Sequence, residues 1–180
     1  MPASLRLHLG CGPFAVPGWI NVDRRALPGV EVAADVCGGL PFAPGAFDAV
    51  VAIHVLQDLP WGDIPPALRE LRRVLRPGGV LRLGLPDLDR AIDAYRRGDH
   101  RHFYVPDRDA RSIGAKLVTQ ITWYGSVRTP FTADYAEEVL RGAGFREVAR
   151  CAFRESHYGE PALAALDNRE RESLFVEARN

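Results

Sequence analysis

The residues of this chain whose types and order could do chemistry are the triplet Gly10-Cys11-Gly12, the acids Asp23 and Asp35, and the pair His54-Val55. Glycine turns the backbone sharply and leaves room for a ligand where a Cβ would stand. A carboxylate at a strand end can accept hydrogen bonds from two adjacent ribose hydroxyls, and an acid one strand further on can reach the amino group of an adenine. Taken singly, each residue has a plainer reading, since glycines make turns and aspartates open loops. Taken in this order, on consecutive strand ends, they describe a grip for a nucleoside. Cys11 fits as a small filler of the glycine loop rather than a nucleophile.

Five more residues are candidates for contact with a second molecule. His54 closes an apolar run and could serve as a general base, or it could be a packing histidine bonded to backbone. Asp58 is either a helix cap or an acceptor contact. His102 and Tyr104, beside His100, fall in an irregular stretch that reads as a substrate lid or a solvated loop. Trp123 and Tyr124 could wall an acceptor pocket or pack beneath that lid.

These side chains need a scaffold, and the apolar runs supply one. Leu5–Leu9, Gly18–Asp23 and Val30–Asp35 read as strands, the last two ending on acids. Phe47–Leu56 begins as a near-continuous apolar run, as expected of a central parallel strand covered on both faces. In the stretch that follows, Ile64, Leu68, Leu71 and Leu75 fall at helical spacing, Asp63 can cap the helix, and Pro77-Gly78-Gly79 can stop it. Val80–Pro86 is a fifth strand. Asp87–Gly98 and Asp107–Trp123 read as helices, and a third helix follows a cap at Thr132. Two strands close the chain, antiparallel at the sheet edge, with a short helix or loop between them at 161–171. Strands alternating with helices give an α/β fold with a mainly parallel sheet. No repeat or linker divides the chain, so residues 1–180 read as one domain with an insertion around 90–130.

The composition removes several function classes. Acidic and basic residues balance at 23 each, which is not the footprint of a nucleic-acid binder. No run is long enough for a membrane span, and no signal peptide is evident. The three cysteines, Cys11, Cys37 and Cys151, fit reduced thiols in the cytoplasm and show no metal-ligand spacing, so no metal is expected. Nothing in the sequence fixes the oligomeric state.

The glycine loop also fits a dinucleotide fingerprint, GCGPFA matching G-x-G-x-x-[GA]. The acid of that fingerprint lies about twenty residues on, whereas Asp23 follows Gly12 much sooner. The short spacing leaves no room for a full crossover helix, so a loop or one helical turn is expected between the first two strands.

The segments LHLGCGPFAVPGWINVD, LPFAPGAFDAVVAIHVLQDL, ALRELRRVLRPGGVLRLGLPD, EEVLRGAGF and LDNRERESLFVEAR resemble class I S-adenosylmethionine-dependent methyltransferases. They are most similar to a small bacterial subgroup with the compressed LGCG…PGWINVD start. The resemblance implies a Rossmann-like, doubly wound, three-layer α/β fold, whose mainly parallel seven-stranded sheet has one antiparallel edge strand. It implies S-adenosylmethionine as cofactor, with Gly10, Cys11 and Gly12 along its methionine part, Asp23 on the ribose, Asp35 and the Val36 backbone at the adenine, and His54 and Val55 beside the sulfonium. Relatives commonly read H-V-L-E-H-L where this chain reads His54-Val55-Leu56-Gln57-Asp58-Leu59. The expected function is methyl transfer by direct displacement to a small-molecule acceptor, at oxygen. Two alternatives stand beside it: a catalytically altered binding module, for which the Gln57-Asp58 change is the support, and a dinucleotide-dependent oxidoreductase.

Overall fold

The computed structural model describes residues 4–180. Seven strands form one sheet in the order β3-β2-β1-β4-β5-β7-β6. The strands are β1 (Arg6–Leu9), β2 (Ile20–Asp23), β3 (Val32–Ala33), β4 (Phe47–Ile53), β5 (Leu75–Pro86), β6 (Glu147–Cys151) and β7 (Ser173–Arg179). The first five run parallel, and β7 is antiparallel to both of its neighbours. It sits one place in from the edge, so the outermost strand is β6.

β4 lies at the centre because six of its seven residues are buried, a pattern only a doubly covered strand can use. Its neighbour β5 is fed by α1 (Ile64–Val74), whose buried residues Ile64, Ala67, Leu68, Leu71 and Val74 form one stripe. Pro65 and Pro66 occupy the first turn, where their missing N–H groups cost nothing. The helix ends at Val74, before the proline and glycines, because Leu75 already pairs with Phe47 and starts β5. α4 (Ala133–Gly142) covers the same face through Ala136 and Leu140. Asp63 and Thr132 stand at the starts of these two helices without making a side-chain cap bond.

The opposite face carries little helix, so the expected third layer is thin. It consists of the 10–19 loop, through Val16 and Trp19, and a single turn α5 (Pro161–Ala164), through Ala162 and Leu163. No helix joins β1 to β2, in line with the short spacing. Asn21, 1% exposed, takes over the anchoring: its Oδ1 accepts from the Val16 amide at 2.8 Å, and its Nδ2 donates to the Val16 and Trp19 carbonyls. Each such bond contributes about 1 kcal/mol net, and breaking one leaves a buried group unpaired at greater cost.

Arg82 on β5 faces the same thin layer. It is fully buried, donating to both oxygens of Asp167 and to Glu177 Oε1 at 2.7 Å. Those carboxylates in turn accept the amides of Arg154, His157 and Tyr158. Three buried charges thereby fasten the excursion between β6 and β7 to the sheet.

The insertion builds a small core of its own. α2 (Leu88–Arg97) starts at Asp87, which accepts the Arg90 amide, and ends at Gly98 with φ +69°. α3 starts only at Ile113, where Ser112 accepts the Ala115 amide, and runs to Thr122. Ala91, Ala94 and Phe103 pack against Ile113, Leu117 and Ile121. Lys116, the only lysine, is buried and donates to the Val105 carbonyl at 2.6 Å, pinning the connecting loop. This helix pair stands over the C-terminal ends of β4 and β5.

Candidate active site

The chain turns at Gly10 because β1 must stop. Gly10 has φ +68°, and a Cβ there would stand 2.3 Å from Val55 Cγ2. Gly12 follows at φ +53°, and its amide donates to Asp23 Oδ2 at 2.9 Å. Asp23 closes β2, and its other oxygen accepts the Arg25 amide at 2.9 Å. Burial pushes this carboxyl up, but the Arg25 and Gly12 amides and the Arg25 guanidinium outweigh it and hold Asp23 below its ordinary value. The acid is therefore charged, preset and still able to accept further hydrogen bonds.

A cavity of about 280 Å³ opens beside this loop. Gly10, Gly12, Asp23, Asp35, Val36, His54 and Val55 all line it, brought together from four successive strand ends. Asp35 does so from the start of a one-turn 3₁₀ helix at Val36–Gly38, where it also accepts the Cys37 amide. Cys11 does not reach the cavity. Its side chain is buried, with the thiol directed to the Gly12 carbonyl, which confines it to filling the loop. Arg24, Arg25, Leu9, Ala34 and Leu59 also line the cavity. None of these five was read from the sequence as part of the site.

A second cavity, of about 220 Å³, lies next to the first. His54, Gln57 and Asp58 come from the end of β4, Asp87, Leu88 and Ala91 from the start of α2, Gln120, Ile121 and Trp123 from the end of α3, and Arg169 and Glu172 from the approach to β7. Asp58 and Trp123 both line this cavity. His102, Tyr104 and Tyr124 are not in the cavity. Tyr104 and Tyr124 are exposed, Tyr104 accepting from Arg171 Nε and Tyr124 donating to Asp109, while His102 is half-buried edge-on against Phe103. Asp87, Gln120, Arg169 and Glu172 were missed, Arg169 and Glu172 because nothing local marks a residue that reaches the site from the approach to β7.

Among the described residues, five other than glycine have φ in the left-handed region, and three of them, His54, Trp123 and Arg169, line this one cavity. Such backbone costs on the order of 1–3 kcal/mol per residue and persists where the surroundings enforce it, typically at functional sites.

His54 is fully engaged. Its Nε2 lies 2.7 Å from Ser173 Oγ, and Arg169 Nη1 approaches Nδ1 at 3.5 Å. Arginine can only donate, so Nδ1 accepts and Nε2 carries the proton given to Ser173. Burial, and then the Arg169 charge, depress its pKa to about 3. This imidazole is neutral and committed, which corrects its expected part as a base. Asp58 is not a helix cap either: the one hydrogen bond its carboxylate receives is from Gln57 Nε2, at 3.3 Å.

Residues 7–83, which carry the glycine loop, both acids and the His54 turn, match the family described as methyltransferase domain. A 37.1 kDa protein of transposon TN4556 from Streptomyces fradiae is 37% identical over 49% of this chain, and the chain spans only 32% of that protein's length. The trans-aconitate 2-methyltransferase of Azoarcus is 29% identical over 86% of this chain and 74% of its own length. Among solved structures, an S-adenosylmethionine-dependent methyltransferase of Thermotoga maritima superposes with a TM-score of 0.61 at 20% identity, covering 99% of this chain and 83% of that one. The family match is confined to residues 7–83, and over its length the chain shares the fold of the solved S-adenosylmethionine-dependent methyltransferase.

Proposed function

We propose that this chain binds S-adenosylmethionine in the cavity beside the glycine loop and methylates a hydroxyl oxygen of a small molecule seated in the neighbouring cavity. One observation carries the reading. The two cavities adjoin at the end of β4 and share His54 and Asp58. A donor in one and an acceptor in the other would face each other across that boundary.

The residues fit the cofactor. Gly10 and Gly12 line the part of the cavity assigned to its methionine part, Asp23 presents a charged carboxylate to the ribose, and Asp35 and Val36 flank the adenine end. His54 and Val55 stand at the sulfonium end, with Cys11 behind the loop. When bound, S-adenosylmethionine supplies both the electrophilic methyl and its leaving group. The work left to the protein is alignment, which can supply roughly 7–11 kcal/mol of such a barrier. The strained, hydrogen-bonded turn at His54 is suited to that. It fixes one wall of the boundary and keeps a neutral ring there.

A small acceptor is supported by the size of the second cavity, and the Azoarcus relative is named for a small molecule, trans-aconitate. No helix among the described residues is long and apolar enough to cross a membrane. With the balanced charge and three free cysteines, this supports a cytoplasmic enzyme without a nucleic-acid partner. The open second cavity weighs against a binding module that has lost catalysis.

The test is a panel of small hydroxy, carboxy and amino compounds incubated with S-adenosylmethionine and the protein, read as S-adenosylhomocysteine release. Release with hydroxy compounds supports oxygen transfer. Release confined to amines or carboxylates would overturn the choice of oxygen.

A further inference from the structure

His54 and Asp58 are the two residues that line both cavities. A group that accepts a proton from the attacking atom must stand at that boundary, so the choice is between them. His54 has no free nitrogen, one being bonded to Ser173 and the other facing Arg169. Asp58 is exposed to both cavities, with Oδ1 receiving the Gln57 amide and Oδ2 receiving no hydrogen bond among the described residues. Gln57 adds an independent sign. It is 4% exposed and lines the acceptor cavity, yet its Oε1 has no partner. A buried carbonyl left this way is costly unless a ligand donor meets it.

We propose that Asp58 is the proton acceptor of the methyl transfer, its free Oδ2 taking the proton from the acceptor's reacting hydroxyl while Gln57 Oε1 receives a second donor of the same molecule. This rests on the reading that the first cavity holds S-adenosylmethionine. The balance is simple. The acceptor oxygen forms a bond to the methyl carbon, the carbon–sulfur electrons go to sulfur and give a neutral thioether, and the hydroxyl proton passes to Asp58, which returns it to water after product leaves.

The surroundings suit a base. Burial raises the Asp58 carboxyl, while Arg24, the Gln57 bond, Arg169 and Arg128 pull it down. The cations near Asp58 are Arg24 after β2, Arg128 after α3 and Arg169 before β7, Asp87 and Glu172 are the other carboxylates of the acceptor cavity, and His54 beside it is neutral. Filling both cavities removes more water from the carboxylate, which raises its proton affinity further.

The experiment needs no known acceptor. Sinefungin carries an amine where S-adenosylmethionine carries its methyl, so it presents an N–H donor at the reacting position. Wild type should bind sinefungin about tenfold tighter than S-adenosylhomocysteine, the gain of one charge-assisted hydrogen bond. Asp58→Asn should reduce that preference to about twofold or less. In wild type the preference should also fall as the pH is lowered through the carboxylate range, a readout that does not depend on the variant folding. A preference that survives Asp58→Asn, or none in wild type, overturns the proposal. If wild type binds neither compound, the assignment of the first cavity fails and this one falls with it.

Discussion

The amide of Gly12 donates to Asp23 Oδ2 at 2.9 Å, tying the loop after β1 to the acid that closes β2. The two parts of the proposed cofactor grip are thus one hydrogen-bonded unit, set before any ligand arrives. Preorganisation of this kind lowers the ordering cost of binding.

Replacing Asp23 with alanine removes the charged acceptor and frees the Gly12 amide. Loss of hydrogen bonds to a charged group costs about 2 kcal/mol, so affinity for S-adenosylhomocysteine should drop ~30-fold. Isothermal titration of the variant checks this. Because both of its oxygens also bond backbone, a modest fall in melting temperature should accompany it.

Gly10→Ala and Gly12→Ala should separate. At Gly10 the new Cβ would press on Val55 Cγ2 at 2.3 Å, whereas at Gly12 the nearest neighbour within reach is Arg25 Nη2 at 3.8 Å. Both variants carry left-handed strain of about 1 kcal/mol. Gly10→Ala should also displace Val55 from the cavity wall and abolish cofactor binding, while Gly12→Ala retains measurable binding. Equal affinities in the two variants would contradict the account.

His54 predicts a pH effect on stability. Its folded pKa, about 3, lies below the ordinary value of 6.5. Between these values the unfolded chain holds more protons than the folded one, so stability rises with pH. The contribution is fully present above pH 6.5 and is lost as pH falls toward 3. His54→Asn keeps a residue that tolerates the left-handed backbone. Denaturant melts across that window should show a shallower acid loss in the variant, and parallel curves would contradict the burial argument.

Arg82→Ala should be among the most damaging single changes outside the site. It leaves Asp167 and Glu177 buried and unpaired, which costs about 3–5 kcal/mol. For a chain of this size that is a fall of roughly 10 °C or more in melting temperature. Differential scanning calorimetry reads it directly.

Why part of the site was legible in the sequence, and part not, follows from where its residues come from. Gly10, Gly12, Asp23 and Asp35 each stand at a strand end, and parallel pairing of neighbouring strands sends all of those ends to one edge. Local pattern alone could therefore assemble them. Arg169 lies 115 residues from His54 and meets it only because β7 inserts antiparallel beside β5. No local period encodes that meeting. The same holds for His102, Tyr104 and Tyr124. Their chemistry suggested a lid, but they lie in the connections that follow α2 and α3, and none of the three lines the cavity. The thin second layer was half visible: the short β1–β2 spacing excluded a helix there, but nothing announced that Asn21 would hold the loop in its place.

The central claim is that the cavity beside the glycine loop holds S-adenosylmethionine. Isothermal titration of the wild-type protein with S-adenosylmethionine tests it most directly. Saturable binding at one site per chain, weakened sharply by Asp23→Ala, is the predicted result. No binding to wild type, or binding that Asp23→Ala leaves unchanged, would contradict it.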